Sequence, residues 1–219
     1  MDQTPPAEDL PPAVVTFITT EHFALSTSRA AGLSEAGSRV SFFLVSVSSG
    51  LVALAFIGQA SQLGAAFYVF GLTVLPTLAF LGITTFERIL RNGMEDIRYA
   101  RQINQIRQFY FDASPLARRY LRPPVPDDPV AVVSDLDVNP QHAAWYGFLS
   151  TAGGVGVVNS VVLGGTIGLL IQLLSHSLAA AAAVGALTGL AAIGAHMARQ
   201  RAAWHAAAVR WRQQPAAHR

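Results

Sequence analysis

The stretch that decides the fold is Gly64–Asp112, GAAFYVFGLTVLPTLAFLGITTF followed at once by ERILRNGMEDIRYARQINQIRQFYFD. The first half, 64–86, carries no charge and is long enough to cross a bilayer, which takes about 20 apolar residues. The second half, 87–112, is dense in arginine and keeps a helical rhythm: Leu90, Met94, Ile97, Ile103, Ile106 and Tyr110 recur at three- or four-residue spacings, with Ala100 filling the gap. No strong turn signal separates Phe86 from Glu87. The reading is one helix that spans the membrane and runs on into the cytosol for about 40 Å, at about 1.5 Å per residue. Pro76 is the expected kink of the span, and Asn92-Gly93 a bend just beyond it; Pro76 and Gly93 are thus the candidate hinges.

Three further windows share the apolar, uncharged character of 64–86: 40–57, 148–174 and 178–197. The composition agrees, with 52% hydrophobic residues and only 13% charged in 219 residues, against about 25% charged in soluble domains; mean hydropathy is +0.38. The fold class is all-α: a four-helix transmembrane bundle with a long cytosolic extension of the second span. The two turns at 58–63 and Ser175–Ser177 hold no charge, while every Arg, Asp and Glu falls on the opposite side. The positive-inside rule makes that side cytoplasmic, with both termini there.

Around the spans, residues 1–20 read as a disordered or surface tail. Thr19 and Thr20 are candidate N-caps for an amphipathic helix that begins near Glu21 and feeds the first span, with Phe23, Leu25, Leu33, Ala36 and Val40 on one side. Together with spans 1 and 2 and the 87–112 helix it forms a region 21–112. Segment 113–144 holds a short helix opened by Ser114-Pro115 and a proline-rich linker. Trp145 and Tyr146 suit a membrane interface at the head of the region 145–198 that holds spans 3 and 4. Residues 199–219 form a basic tail, helical to about Gln213.

All basic residues except histidine are Arg, beside abundant Ala, which matches a GC-rich bacterial genome. The arginines lie outside the spans and read as topology signals and lipid-headgroup contacts, so no nucleic-acid partner is expected. Arg88, Arg91, Arg98, Arg101, Arg199 and Arg201 are the candidates for anionic lipid headgroups or another anionic ligand. The absence of Cys excludes disulfides, Cys-zinc sites and thiol catalysis. The six histidines show no ligand spacing, and Asp135-x-Asp137-x-Asn139 has Pro140 where a calcium loop needs glycine. Asp127-Asp128 reads as solvated loop. No metal, cofactor or catalytic constellation is expected, and no enzymatic activity.

The spans hold no Asp, Glu, Lys, Arg or mid-membrane His, which argues against ion-coupled transport and voltage sensing. Ala152, Gly156, Ser160, Gly164 and Gly168 fall at a strict four-residue spacing, joined by Gly185 and Gly189 in the fourth span. Small residues at this spacing let helix backbones approach closely in lipid. They read either as packing within the chain or as an oligomer seam. Asn159 is the main strongly polar group at depth; with Ser46 and Ser49 it bonds across helices or lines a pore.

The layout from EHFALSTSRAAGLSEAGSRV through span, short turn and span to ERILRNGMEDIRYARQINQIR resembles small bacterial paired-span membrane effectors, the SLATT proteins. The resemblance covers about Glu21–Tyr110 and lies in architecture, with no diagnostic motif, and the third and fourth spans are additions to that plan. It implies an oligomer that perturbs or perforates the membrane when activated. The expected function is therefore an oligomeric membrane effector or channel-like protein. The alternative is a membrane scaffold or accessory subunit that binds a cytosolic or membrane partner through the 87–112 helix. The lipid bilayer and a second copy of the chain are the expected partners.

Overall fold

A computed structural model describes residues 11–113, 115–128, 131–132 and 150–213. The chain is all-α. The helices are α1 (Pro12–Ala60), α2 (Ala65–Ala113), α3 (Pro115–Tyr120), α4 (Thr151–Ser175) and α5 (Leu178–Gln213). Four of them, all but α3, are long and apolar enough to cross a membrane. This arrangement is that of a multi-pass membrane protein. Trp145, Tyr146, His142 and the Asp135–Asn139 motif lie outside the described residues.

The first helix starts earlier than its sequence suggests. Pro12 occupies the first helical position, where a missing N–H costs nothing, and the helix then runs 49 residues without a break. Thr19 and Thr20 are not N-caps. Their hydroxyls donate back to Val15 O and Thr16 O at 2.8 Å, one turn earlier in the same helix. Residues 12–20 therefore belong to α1 rather than to a tail.

The α1–α2 turn is a Schellman ending. Leu63 N donates to Gly58 O at 2.9 Å and Gln62 N to Gln59 O at 3.3 Å. Gln62 sits at the left-handed position that glycine normally fills, with φ 49°, and Leu63 follows at φ 58°. Helix α2 then continues through both Pro76 and Gly93. The helix is unbroken at Asn92-Gly93, and Asn92 donates to Gly32 O of α1 at 3.4 Å. Ser150 caps α4 by accepting from Gly153 N at 3.0 Å. His176, with φ 52°, ends α4 in the left-handed region, and Ser177 accepts from Ala180 N at the start of α5.

The chain divides into two compact units, one formed by residues 1–35, 92–143 and 206–219, the other by 36–91 and 144–205. In the first unit α1 and α2 run antiparallel. Thr19 meets Tyr110 at 3.0 Å, His22 faces the Tyr110 ring at 6.4 Å, and Arg29 grips Asp96 at 2.6 Å. The buried side of α1 here is Ile18, His22, Leu25, Arg29 and Gly32, all at least partly covered. Phe23 and Leu33 are 75% and 57% exposed, so they do not share the covered face with Leu25. The reason is compositional: Ser, Thr, Ala and Gly dominate this segment and leave the apolar stripe poorly marked.

In the second unit the helices interlock through glycines. Leu78 and Val74 of α2 fill the space beside Gly50 of α1, and Leu169 of α4 fills the space beside Gly71. Phe43 and Phe86 are the largest wholly buried apolar side chains of the core.

Candidate functional site

The polar centre of the second unit is built by α2, α4 and α5. Asn159 and Ser160 of α4 are fully buried, and His196 of α5 is 9% exposed. His196 Nδ1 lies 2.8 Å from Ala192 O, one turn back, and 3.3 Å from Ser160 Oγ. A carbonyl only accepts, so Nδ1 carries a hydrogen, and the tautomer that this assigns leaves Nε2 as the acceptor. Asn159 Nδ2 points at that lone pair from 3.5 Å, a long and weak contact. Ser160 Oγ spends its own hydrogen on Gly156 O at 2.7 Å. The edge of Phe86 stands against the imidazole at 4.6 Å between centroids and 89°.

Glycines make room for this cluster. A Cβ on Gly82 of α2 would overlap the Asn159 carboxamide, and one on Gly156 would stand 3.2 Å from His196 Cβ. Asn159 Oδ1 therefore faces the bare backbone of Gly82 and, among the described residues, finds no N–H or O–H donor. Around the cluster, Glu87 of α2 pairs with Arg199 of α5 at 2.7 Å, and Gln200 donates to Ser150 Oγ at 3.1 Å.

His196 is the residue that sequence reasoning missed. It stands at the end of the fourth apolar window and fits no metal-ligand spacing; the structure sets it inside the core beside Asn159. The signal lay in its position, three residues before Arg199 and within reach of the α4 face that carries Asn159. The buried hydroxyl of Ser160 is directed at a backbone carbonyl and closed off from solvent, so the cluster is a packing and bonding centre in which no nucleophile is presented.

The small-residue series is occupied within the chain. A Cβ on Gly164 would meet Gly185 O at 2.6 Å, and one on Gly168 would meet Ala181 O at 3.2 Å. Gly189 comes within van der Waals reach of Ser160 O. Ala152 is buried on the same side of α4. Ala152, Gly156, Ser160, Gly164 and Gly168 thus share one face of α4, opposite Gly185, Gly189 and His196 of α5. Ser46 donates to Phe42 O within α1, and Ser49 is exposed; neither joins Asn159.

The arginines divide. Arg88, Arg91, Arg98 and Arg201 are exposed, and Arg199 is held by Glu87. Arg101 is no headgroup contact. Its side chain is 8% exposed and binds Asp127 through two parallel bonds of 2.7 Å. Asp127 is accordingly an ion-pair partner rather than solvated loop. The Trp211 ring of α5 covers the Arg101 guanidinium at 4.6 Å. One turn along α2, Asn104 donates to Val125 O at 2.8 Å and accepts from Val125 N at 3.0 Å. This clasp lies wholly in the first unit.

No protein-family model, curated protein or solved structure matches this chain.

Proposed function

We propose that the protein is a non-enzymatic integral membrane protein of a bacterial cytoplasmic membrane, both termini cytoplasmic, that self-associates into a membrane effector of channel-like type. The observation that supports self-association lies on α1. Within the second unit Ser38, Ser41, Val45, Ser48, Val52 and Ala55 alternate three- and four-residue spacings, and all six are exposed. That 3.5-residue period is the seam of helices that wrap around each other. Lipid gives no reason for serine on an outward face, whereas a second helix does, since small residues permit close approach. The α4 series is already used against α5, so α1 is the better seam for a second copy. The SLATT resemblance agrees with this reading.

The chain has no cysteine, so a single Ser48→Cys chain in native membranes gives a clean test. Disulfide-linked dimers are expected, and Ser41→Leu with Val45→Phe should abolish them. Proteoliposomes should leak a small dye or ions only when the seam is intact. Tight vesicles that contain crosslinkable protein would remove the channel half of the reading.

A second reading, a scaffold or accessory subunit, has support in the first unit. There α2 turns Glu95, Arg98 and Gln102 outward while its other side is covered. Replacing all three by Ala should strip a charged protein partner from a pull-down, and an unchanged partner list would end that reading.

A further inference from the structure

Beside the α1–α2 turn, in the second unit, lies an open groove of about 600 Å³. Its walls are apolar: Leu51, Leu54, Ala55 and Gly58 of α1, and Phe67 of α2. Gly58 keeps the floor low, since a Cβ there would stand 3.2 Å from Phe67 Cδ2. Among the described residues, no charged side chain lines the groove.

The groove follows the line of the α1 seam. The alternation through Ser48, Val52 and Ala55 goes on to Gln59 and Gln62, again by four and three residues. Ala55, Gln59 and Gln62 are exposed and border the groove. Helix α2 walls one side through Phe67, and the open side is the one that a helix on the seam would cover.

Phe56 has the complementary setting. It is 67% exposed and stands about 200° around α1 from both Leu54 and Gly58, so it cannot fill the groove of its own chain. It directly follows the seam residue Ala55, whereas Leu51 and Gly58 directly precede the seam residues Val52 and Gln59. In parallel helices that wrap at a 3.5-residue period, these two kinds of flanking position face each other across the pair. Copies in one membrane share a topology, so their α1 helices run parallel. Two-fold symmetry then sets equal residues at equal depth. Phe56 of each copy therefore comes to Leu51 and Gly58 of the other, at the level of the groove. Gln59 meets its own counterpart, and the two carboxamides exchange N–H···O bonds. A lipid chain in the same groove gives neither carboxamide a partner, which favours the ring.

We propose that Phe56 of one copy docks in the Leu51–Gly58 groove of a second copy, reciprocally, and so locks the turn end of an α1–α1 pair. This contact rests on the α1 seam and names the residue that each copy contributes to the other.

The test uses the full chain, which has no cysteine of its own, in native membranes under mild oxidation. Copies that carry Phe56→Cys are co-expressed with differently tagged copies that carry Leu51→Cys. A mixed disulfide dimer is expected. Neither variant should link to itself, because equal flanking positions lie on opposite sides of the seam. Val69→Cys of α2, 68% exposed, paired with Leu51→Cys gives the background of random collision. Phe56 is exposed, so its replacement spares the chain's own core. In the Ser48→Cys chain, Phe56→Ala should lower the dimer fraction about threefold or more, as loss of one modest contact between membrane helices does, and Phe56→Leu should retain most of it. If Ser48→Cys dimers form while the mixed dimer stays at background, or Phe56→Ala leaves them undiminished, the groove faces lipid; this proposal is overturned and the seam stands. Absence of Ser48→Cys dimers overturns the seam and the Phe56 contact together.

Discussion

Gly164 and Gly185 meet backbone to backbone. A Cβ on Gly164 would lie 2.6 Å from Gly185 O, and a Cβ on Gly185 would lie 2.9 Å from Gly164 O. Neither carbonyl can move without its helix. Gly164→Ala should therefore push α4 from α5 and lower stability by about 1–3 kcal/mol, the usual range for overpacking. Its neighbour Gly165 has open space where a Cβ would go. Gly165→Ala should be neutral or stabilising by up to about 1 kcal/mol, since alanine is the better helix former. Thermal midpoints of both variants in one detergent check the contrast; equal midpoints would mean that the contact carries no load.

The Gly82 and Asn159 pair makes a second case. Asn159 Oδ1 is buried against the Gly82 backbone with no N–H or O–H donor among the described residues. Its amide reaches His196 only at 3.5 Å. Gly82→Ala should displace the carboxamide and cost about 1–3 kcal/mol. The Asn159–His196 coupling itself should be small. A double cycle of Asn159→Ala and His196→Ala should return less than about 1 kcal/mol, as for most hydrogen bonds between membrane helices. A coupling well above that would show a stronger bond than this geometry permits.

Much of this architecture was legible in the residues because charge and length decide it. The Ser175–Ser177 turn follows from apolar runs that stop at polar residues. The apolar stripe of 87–112 needs a cover, and the segment that leads into the first span is the nearest helix on the same side of the membrane. What stayed hidden were contacts between distant positions. Arg101 and Asp127 are 26 positions apart across a helix end and a proline-rich turn. No local spacing separates a buried arginine from exposed ones such as Arg98. His196 was hidden for a related reason: a histidine one turn from Arg199 looks interfacial until the helix that covers it is known. Phe23 and Leu33 mislead because size suggests burial, whereas the covered side of this helix is Ile18, His22, Leu25, Arg29 and Gly32.

The α1–α2 turn carries measurable strain. Gln62, at φ 49°, occupies the position where a glycine would meet no Cβ penalty. Gln62→Gly should raise stability by up to about 1 kcal/mol, reduced by the greater freedom of glycine in the unfolded chain. Leu63 packs its side chain toward Gly58, where an added Cβ would find Leu63 Cδ2 at 3.3 Å. Leu63→Gly should therefore give a smaller gain than Gln62→Gly or a loss. A rise in midpoint for Leu63→Gly larger than that for Gln62→Gly would contradict this account of the turn.

The Arg101 clasp predicts a local, cooperative opening. Asp127→Ala leaves a guanidinium that is 8% exposed without its carboxylate. Because the Asp127 side chain is 26% exposed, water reaches that side of the pair. The cost should fall below the about 3–5 kcal/mol seen for fully buried pairs. The Val125 amide, bonded to Asn104 at 3.0 Å, reports the same event. Its hydrogen exchange should accelerate about tenfold or more in Asp127→Ala, and similarly in Asn104→Ala, while the amides of α2 around Ala100 keep their protection. Trp211→Ala should accelerate it less, because a ring over a guanidinium is worth about 0.5–2 kcal/mol. If Val125 exchanges at its wild-type rate after Asp127→Ala, the two contacts open independently, and Asn104 alone holds the connector.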